Sequence, residues 1–555
     1  MPLPEPPEAP EHPPAQRLGV TPRSLLRGLL AGLFFGGLAC LYALVPPSPD
    51  QFELTYVAWR LNAGARPYAD VIDMNWPAAF WLHQLIAWLP QGPLYPWRLL
   101  DFAVTLAGVA AVARWLRRTP GLGRPAALAV LLGYPLLYAD PRWYWFSGQR
   151  DALCFHLVLV AATLQGPAFS AGRRGPAAAV GALVGFATLV KPLALLAAPA
   201  LLAYGLLRGG TPRARVRAFG WNCAGGLAVL GLAAAGLALQ GAPWPETVDA
   251  AWTYNRIGQT DSGLSVGGLL RLAAAHAADS WAVLGPVAAL GLLLGTPKRG
   301  TRDAALLAWT LLPAALAFYL LQGKGFAYHL AWAQGLVHLV ALATVGACAG
   351  RVSRALAERR AGVRAWAAPA AAAALVCLVA LAVAAKGASL RGPAAAMLGW
   401  LPRAEYLARF NAGPGTTFSQ AEALATELRA AVPAGASPGA FPVLVYGDAV
   451  SINLMSGRPL PTAFYYPRVL KAMHGGDAGG TDGAGAELSA RWDARFAAEL
   501  AAARPPVVLV GADVLREAGE AGVPSAAALR AWLAEHYAPS GRVGGLLRYR
   551  LRSAG

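Results

Sequence analysis

RSLLRGLLAGLFFGGLACLYALVPPSPDQFELTYVAWRLNAGARPYADVIDMNWPAAFWLHQ, residues 23–84, joins an apolar run to a polar, acid-bearing loop. The run from Gly28 to Val45 follows Arg17, Arg23 and Arg27. At about 18 residues it is long enough to cross a hydrocarbon core as a helix. No convincing cleavage site follows it. Leu38-Ala39-Cys40 is a poor lipoprotein signal, because Gly37 stands where an apolar residue is expected, so the run reads as an uncleaved first span. Just past its end comes Asp50, then a helical stretch from Glu53 to Ala63 with Gly64 as its stop, then Tyr68, Asp70, Asp73 and Asn75. Trp76 to Pro90 is apolar but only about 15 residues long and carries three tryptophans. It is too short to span and reads as a helix lying in the membrane interface.

Working outward, apolar runs recur at roughly 97–116, 126–140, 151–168, 176–190, 192–207, 218–240, 281–296, 303–321, 329–349 and 365–385. With the first, these make about eleven spans. They explain the composition: 56% hydrophobic and 14% charged over 555 residues, where a soluble domain carries about 25% charge. The net charge of +18 does not indicate nucleic acid, because the arginines sit in short clusters between apolar runs. With the N-terminus in the cytoplasm, the inner segments hold Arg17–Arg27, Arg114–Arg124, Arg173–Arg174, Arg208–Arg217, Lys298–Arg302 and Arg351–Arg364. The longer outer segments hold only Arg60, Arg66, Arg142, Arg150, Lys191, Arg256, Arg271 and Lys324, the bias expected of membrane topology. Lys191-Pro192 splits Gly181–Leu207 into two runs, which reads as a hairpin whose tip reaches the outer surface or as an ordinary interface lysine. The five cysteines lie in or beside apolar runs, and no CxxC or clustered-histidine metal pattern occurs.

Three segments result: a cytoplasmic tail over 1–23, whose Pro/Glu-rich residues 1–16 are expected to be disordered; a membrane domain over 24–385 with its first outer loop at 46–96; and a soluble domain over 386–555. In the last, FPVLVYG (441–447), PVVLVG (506–511) and GLLRYRLR (545–552) read as strands. Residues 418–431, 489–503 and 525–536 read as helices, and Gly475–Gly485 as a low-complexity loop. The fold class expected is a polytopic α-helical membrane protein with a C-terminal extracytoplasmic α/β domain.

Soluble-enzyme motifs such as HExxH, GxSxG or a Walker loop are missing, so the chemistry must come from polar residues gathered at one membrane face. The outer face offers the acids Asp50, Asp70, Asp73 and Asp151, each able to act as a general base, bind a cation, or simply cap a helix or face solvent. It also offers the cations Arg150, Lys191, Arg256 and Lys324, with Tyr328 and His329 close behind Lys324. Such cations suit an anionic lipid phosphate or serve as interface anchors. Arg98 and Asp101, three residues apart on a helix, are expected to pair with each other.

The order of these features resembles the integral-membrane glycosyltransferases of the GT-C fold, the clan of aminoarabinose transferases, protein O-mannosyltransferases and rhizobial lipopolysaccharide-core glycosyltransferases. The matching elements are Asp50 after the first span, Gly64, Pro67-Tyr68-x-Asp70, Pro77 with Phe80 and Trp81, Arg98, Asp151, Gly185 with Lys191-Pro192, and Lys324 with Tyr328-His329. The match covers about residues 24–385. VLVYGDAVSINLMSGRPLPTAFYYP (443–467) is similar to tails found on some members.

The resemblance implies an enzyme of the bacterial inner membrane that takes a sugar from a polyprenyl-phosphate carrier and transfers it to an envelope glycan, lipid or protein outside the cytoplasm. Asp50 and Asp151 would be catalytic. Asp50 would deprotonate the acceptor hydroxyl, and Asp151 would orient Arg150 or contact the sugar. Asp70, Asp73, Arg150, Lys191, Arg256, Lys324, Tyr328 and His329 would bind substrate. No cofactor is required on this reading, and a divalent cation at Asp70 and Asp73 stays open. Two departures stand out: Gln51 replaces an acid often found beside the first Asp, and Trp76 stands where the aminoarabinose transferase has a lysine. The alternative is a transporter or flippase of lipid-linked sugars, which would place ionisable groups at the bilayer midplane and show internal repeats.

Overall fold

The computed structural model describes residues 22–258, 264–295, 301–357, 363–435, 437–465, 470, 483–520 and 522–552. The segment 1–16 and nearly all of the loop at 475–485 lie outside these residues.

Proline punctuates the helical part. Pro49, Pro77, Pro96 and Pro212 each open a helix, where the missing N–H has no helical partner to lose and the fixed φ is already helical. The main helices are α1 (Pro22–Ala43), α2 (Pro49–Asn62), α3 (Pro77–Gln84), α4 (Pro96–Arg118), α5 (Gly123–Tyr138), α6 (Arg150–Ala171), α7 (Arg174–Val190), α8 (Ala197–Leu207), α9 (Pro212–Leu239), α10 (Val266–Trp281), α11 (Leu284–Gly295), α12 (Arg302–Leu320), α13 (Ala331–Ala357) and α14 (Val363–Gly387).

A helix lies in each of the eleven apolar runs, and among the described residues seven helices are long and apolar enough to cross a membrane. The chain is a multi-pass membrane protein. Leu25, Leu29 and Leu33 of α1 are each about 60% exposed, a stripe suited to lipid. α7 and α9 pack through small residues: a Cβ at Gly181 or Gly225 would run into the facing backbone. The short run after Trp76 keeps only the two turns of α3, and its Leu85 and Trp88 stay exposed. α10 was not anticipated.

The chain reverses at Lys191, as a hairpin would. α7 ends at Val190, a 3-10 turn covers Pro192–Leu196, and α8 runs back. Lys191 meets Asp151 at the start of α6 (2.8 Å), and Arg208 at the far end of α8 meets Asp303 at the start of α12 (2.8 Å). The two ion pairs mark the two ends of this four-helix group.

The C-terminal part contains β1 (Val443–Tyr446), β2 (Val507–Gly511), β3 (Tyr537–Val543) and β4 (Leu546–Leu551) in the order β1-β2-β4-β3. β1 and β2 are parallel and the other pairs antiparallel. The helices α15 (Phe418–Ala430), α16 (Gly483–Ala502) and α17 (Pro524–His536) stand where helical patterns predict them. This part shares one apolar core with the loop at 46–96: Phe52, Tyr56 and Phe80 are buried in the same cluster as Phe418, Phe496 and Leu509. Phe52 lies 5.3 Å from Phe418 ring to ring.

Candidate active site

α2 begins at Pro49, four residues before the predicted start, so Asp50 sits in its first turn rather than in a loop. There the N-terminal end of the helix dipole favours the ionised carboxylate. Gly64, at φ +92°, follows the helix end as expected.

Two glutamines stitch this helix start to the second loop. Gln51 accepts a bond from the Ser48 backbone N–H (3.2 Å) and donates to the Ser147 carbonyl (2.9 Å). Gln149 donates to Ser48 Oγ (3.1 Å) and reaches Asp50 Oδ2 (3.4 Å). Both are buried, so the neighbour of Asp50 is a glutamine with a structural task. Gly148, at φ +76°, fits between them; a Cβ there would press on Trp97, Arg98 and Gln51.

Arg98 supplies the clamp, and the predicted Arg98–Asp101 pair does not form. The fully buried guanidinium donates to the carbonyls of Val45 (3.3 Å), Pro46 (2.7 Å), Tyr144 (2.9 Å) and Ser147 (2.6 Å), and to the Tyr42 hydroxyl (3.0 Å). Asp101 instead accepts from Tyr42 (2.6 Å) and Tyr138 (2.9 Å). A guanidinium fork matches several loop carbonyls at once, and Tyr42 bridges it to the carboxylate. The two outer loops are thereby held in one register, which brings Asp50 to Gln149, the residue before Arg150.

Asp151, next along α6, is sealed. Its carboxylate accepts from Lys191 (2.8 and 2.9 Å) and Gln322 (3.1 Å) and lies 3.3 Å from His329 Nδ1. Lys191 also donates to Gln322 (2.5 Å). Asp151 therefore organises Lys191 and His329 rather than Arg150. His329 Nε2 is buried with no partner among the described residues. Arg150 is half-buried, and its Nε likewise has no partner among the described residues.

Lys324 follows in a loop turned by Gly323 and Gly325, both at φ +68°. Burial, together with the charges of Lys191 and Arg150, pushes its ammonium down to about 8 against the pull of Asp50 and Asp151. Asp50, Arg150, Asp151, Lys191 and Lys324 thus share one electrostatic neighbourhood. Tyr328 is in it too, within reach of Asp50, Asp151, Arg150 and Glu53.

Glu53 was not among the predicted site residues. It is buried one turn beyond Asp50, and the i, i+3 spacing on α2 was the available signal. His83 is a second addition: it lies 2.8 Å from Thr55, stacks on Trp97 (3.5 Å), and is held well below the usual imidazole range by burial and the charge of Arg150.

The remaining predicted residues lie apart. Asp70 pairs with Arg66 on an exposed turn (2.9 Å), which holds its carboxyl below the usual range. Asp73 is buried; its carboxylate accepts from the Asn75 backbone N–H (2.6 Å) and the Tyr465 hydroxyl (2.6 Å). Arg256 is exposed on the short helix Tyr254–Gly258, whose Asn255 braces the loop through the Met74 carbonyl (2.7 Å). Among the described residues no three His, Cys, Asp or Glu side chains gather as metal ligands.

No protein-family profile and no curated protein matches the chain. Among solved structures, it superimposes on ArnT from Cupriavidus metallidurans bound to undecaprenyl phosphate, with a TM-score of 0.57, 15% identity, and coverage of 96% of this chain and 99% of that one. The apo form of the same protein gives a TM-score of 0.53 at 15% identity, over 95% and 98% of the two chains. The fold is the GT-C fold. At this identity the likeness is one of fold, carried over both the membrane helices and the C-terminal part.

Proposed function

We propose that the chain is a membrane glycosyltransferase that moves a sugar from a polyprenyl-phosphate carrier to an acceptor outside the cytoplasm. The observation that carries this reading is the cluster at one end of the bundle, where Asp50 and the cations Arg150 and Lys324 share one electrostatic neighbourhood. An acid facing cations is what displacement of a phosphate from an anomeric carbon requires. Asp50 takes the proton of the acceptor hydroxyl as the new C–O bond forms. The bond from the anomeric carbon to the phosphate oxygen breaks, and Arg150 and Lys324 meet the charge left on the lipid phosphate. Asp151, Lys191 and Gln322 form the rigid floor beneath, and His329 offers Nε2 to a sugar hydroxyl. The undecaprenyl phosphate bound to ArnT supports a lipid phosphate as the ligand class.

The orientation belongs to the same reading. The end bearing the cluster and the C-terminal part faces the periplasm or cell exterior, and the arginine-rich end faces the cytoplasm of a bacterial inner membrane. The acceptor is an envelope glycan, lipid or protein. Membranes carrying wild type or Asp50→Asn, supplied with radiolabelled polyprenyl-phosphate sugars, test the proposal. Transfer by wild type that falls about a hundredfold or more in the variant supports it. Equal transfer by both removes Asp50 from the mechanism, and no transfer by wild type across a broad donor panel overturns the reading.

A further inference from the structure

The end of the bundle away from the transfer cluster holds a cavity of about 140 Å³, enclosed by α4, α6, α11, α12 and α13. Leu116, Leu159, Leu294, Leu307 and Leu336 are typical of its wall. Two threonines also line it, but both hydroxyls are turned onto backbone. Thr301 donates to the Gly295 carbonyl (2.7 Å) and Thr344 to the Val340 carbonyl (2.8 Å), so neither is offered to an occupant. An apolar cavity of this order excludes water and takes an apolar guest. The cavity is also long. Its lining on α13 runs from Leu336 to Arg351, about 22 Å at 1.5 Å per residue, more than the about 15 Å of hydrocarbon in one leaflet. Leu294 is 52% exposed, so the slot is open on the α11 side. A narrow slot of that length, open to the side, matches one acyl chain.

The charge at its mouth has one sign. Arg351 is the one charged side chain in the lining, and it is exposed near the end of α13. Arg114, Arg117 and Arg118 at the end of α4 and Arg354 beyond Arg351 are exposed as well. Among the described residues of the five helices at this end, the one acid is Asp303, and Arg208 already pairs with it (2.8 Å). A slot that takes a chain, under a cationic rim that attracts an anionic head group, fits a single kind of molecule.

We propose that this cavity binds an anionic glycerophospholipid, with one acyl chain in the slot and the head-group phosphate at Arg351. The leaflet, the cytoplasmic one, rests on the orientation proposed above. The carrier lipid fits less well, because that same reading puts its phosphate at the opposite end, where Arg351 has no anion to meet. The helices around the slot also carry the floor of the transfer cluster: α6 begins with Asp151, α12 ends just before Gln322, and α13 starts just after His329. A chain in the slot therefore fills the space between the helices that hold that floor.

The test uses purified protein in phosphatidylcholine nanodiscs, titrated with phosphatidylglycerol that carries a photoreactive group on one acyl chain. Labelled peptides are identified by mass spectrometry. Labelling is expected on the lining of α4, α12 or α13, and it should be lost in Ala343→Phe, which fills the slot. Arg351→Gln is expected to weaken labelling about fivefold, the scale of one basic residue at an anionic surface, while Arg351→Lys keeps it. A photoreactive phosphatidylcholine that labels the lining as strongly overturns the inference, as does labelling that persists in Ala343→Phe. Should Ala343→Phe not be recovered from membranes, Arg351→Gln decides: an unchanged signal overturns the site and a fivefold loss restored by lysine supports it. Displacement of the label by undecaprenyl phosphate would give the slot to the carrier's tail and overturn the inference. Sugar transfer plays no part in this readout, so the proposed function can fail while the lipid site stands, and the site can fail while the function stands.

Discussion

Asp50 and Asp151 occupy the first turns of α2 and α6 at the same end of the bundle, and the protein treats them differently. Asp151 has no exposed surface, and its oxygens are engaged by Lys191, Gln322 and His329. Asp50 is half-exposed, and Gln149 reaches it at 3.4 Å. A carboxylate sealed among its partners holds a scaffold, while one with a side still open to solvent can accept a proton.

The sharpest way to break this contrast is to exchange the expected phenotypes. Asp151→Asn leaves Lys191 buried without its counter-charge, so a loss of about 3–5 kcal/mol of stability is expected, read as a lowered melting temperature in detergent. Asp151→Leu combined with Lys191→Met removes both charges and should recover most of that stability. An unchanged melting temperature in Asp151→Asn would mean that the floor does not depend on the pair. Asp50→Asn should do the opposite, keeping the melting temperature within about a degree of wild type while transfer falls about a hundredfold. A variant that melts early would make Asp50 part of the scaffold.

The contrast also marks what the sequence could tell. Apolar runs and arginine clusters reveal spans because the bilayer imposes length and charge asymmetry on any chain that crosses it. The strands VLVY and VVLVG and the helix at 418–430 were equally legible from local pattern. β3 was not, because Pro539 and Gly541 read as turn residues; as the edge strand it can carry a proline whose missing N–H faces no neighbour. In the site, residue type located Asp50, Arg150, Asp151, Lys191 and Lys324. The partners were beyond sequence reasoning, because they join positions far apart in the chain: Gln51 with Ser147, Arg98 with two loops, Tyr465 with Asp73. Arg98 and Asp101 show the hazard of local rules, since the spacing was right and the partner was wrong.

Lys324 gives a smaller and more graded test of the open side. Burial and the neighbouring cations lower its pKa to about 8, so it is charged below that pH and neutral above it. If its charge holds the donor phosphate, kcat/KM should be level up to about pH 8 and then fall about tenfold per unit, reporting the free enzyme. Lys324→Arg keeps its charge throughout and should abolish this alkaline limb even if the plateau is lower. A wild-type profile that stays flat beyond pH 9 would place the working cation elsewhere, with Arg150 next to be tested.

The smallest effect should come from the other end of the same helices. Arg208–Asp303 has the same 2.8 Å separation as Lys191–Asp151, yet its side chains are 26% and 39% exposed against 12% and 1%. Similar geometry in wetter surroundings is worth less, because water and salt screen the attraction and the desolvation left behind by breaking it is small. Arg208→Ala is therefore expected to cost no more than about 1 kcal/mol in detergent, a cost that shrinks as salt is raised, and to leave donor KM unmoved. A loss as large as that of Asp151→Asn would mean that burial does not separate the two pairs, and that Asp151 is held tightly for some reason other than the dryness of its surroundings.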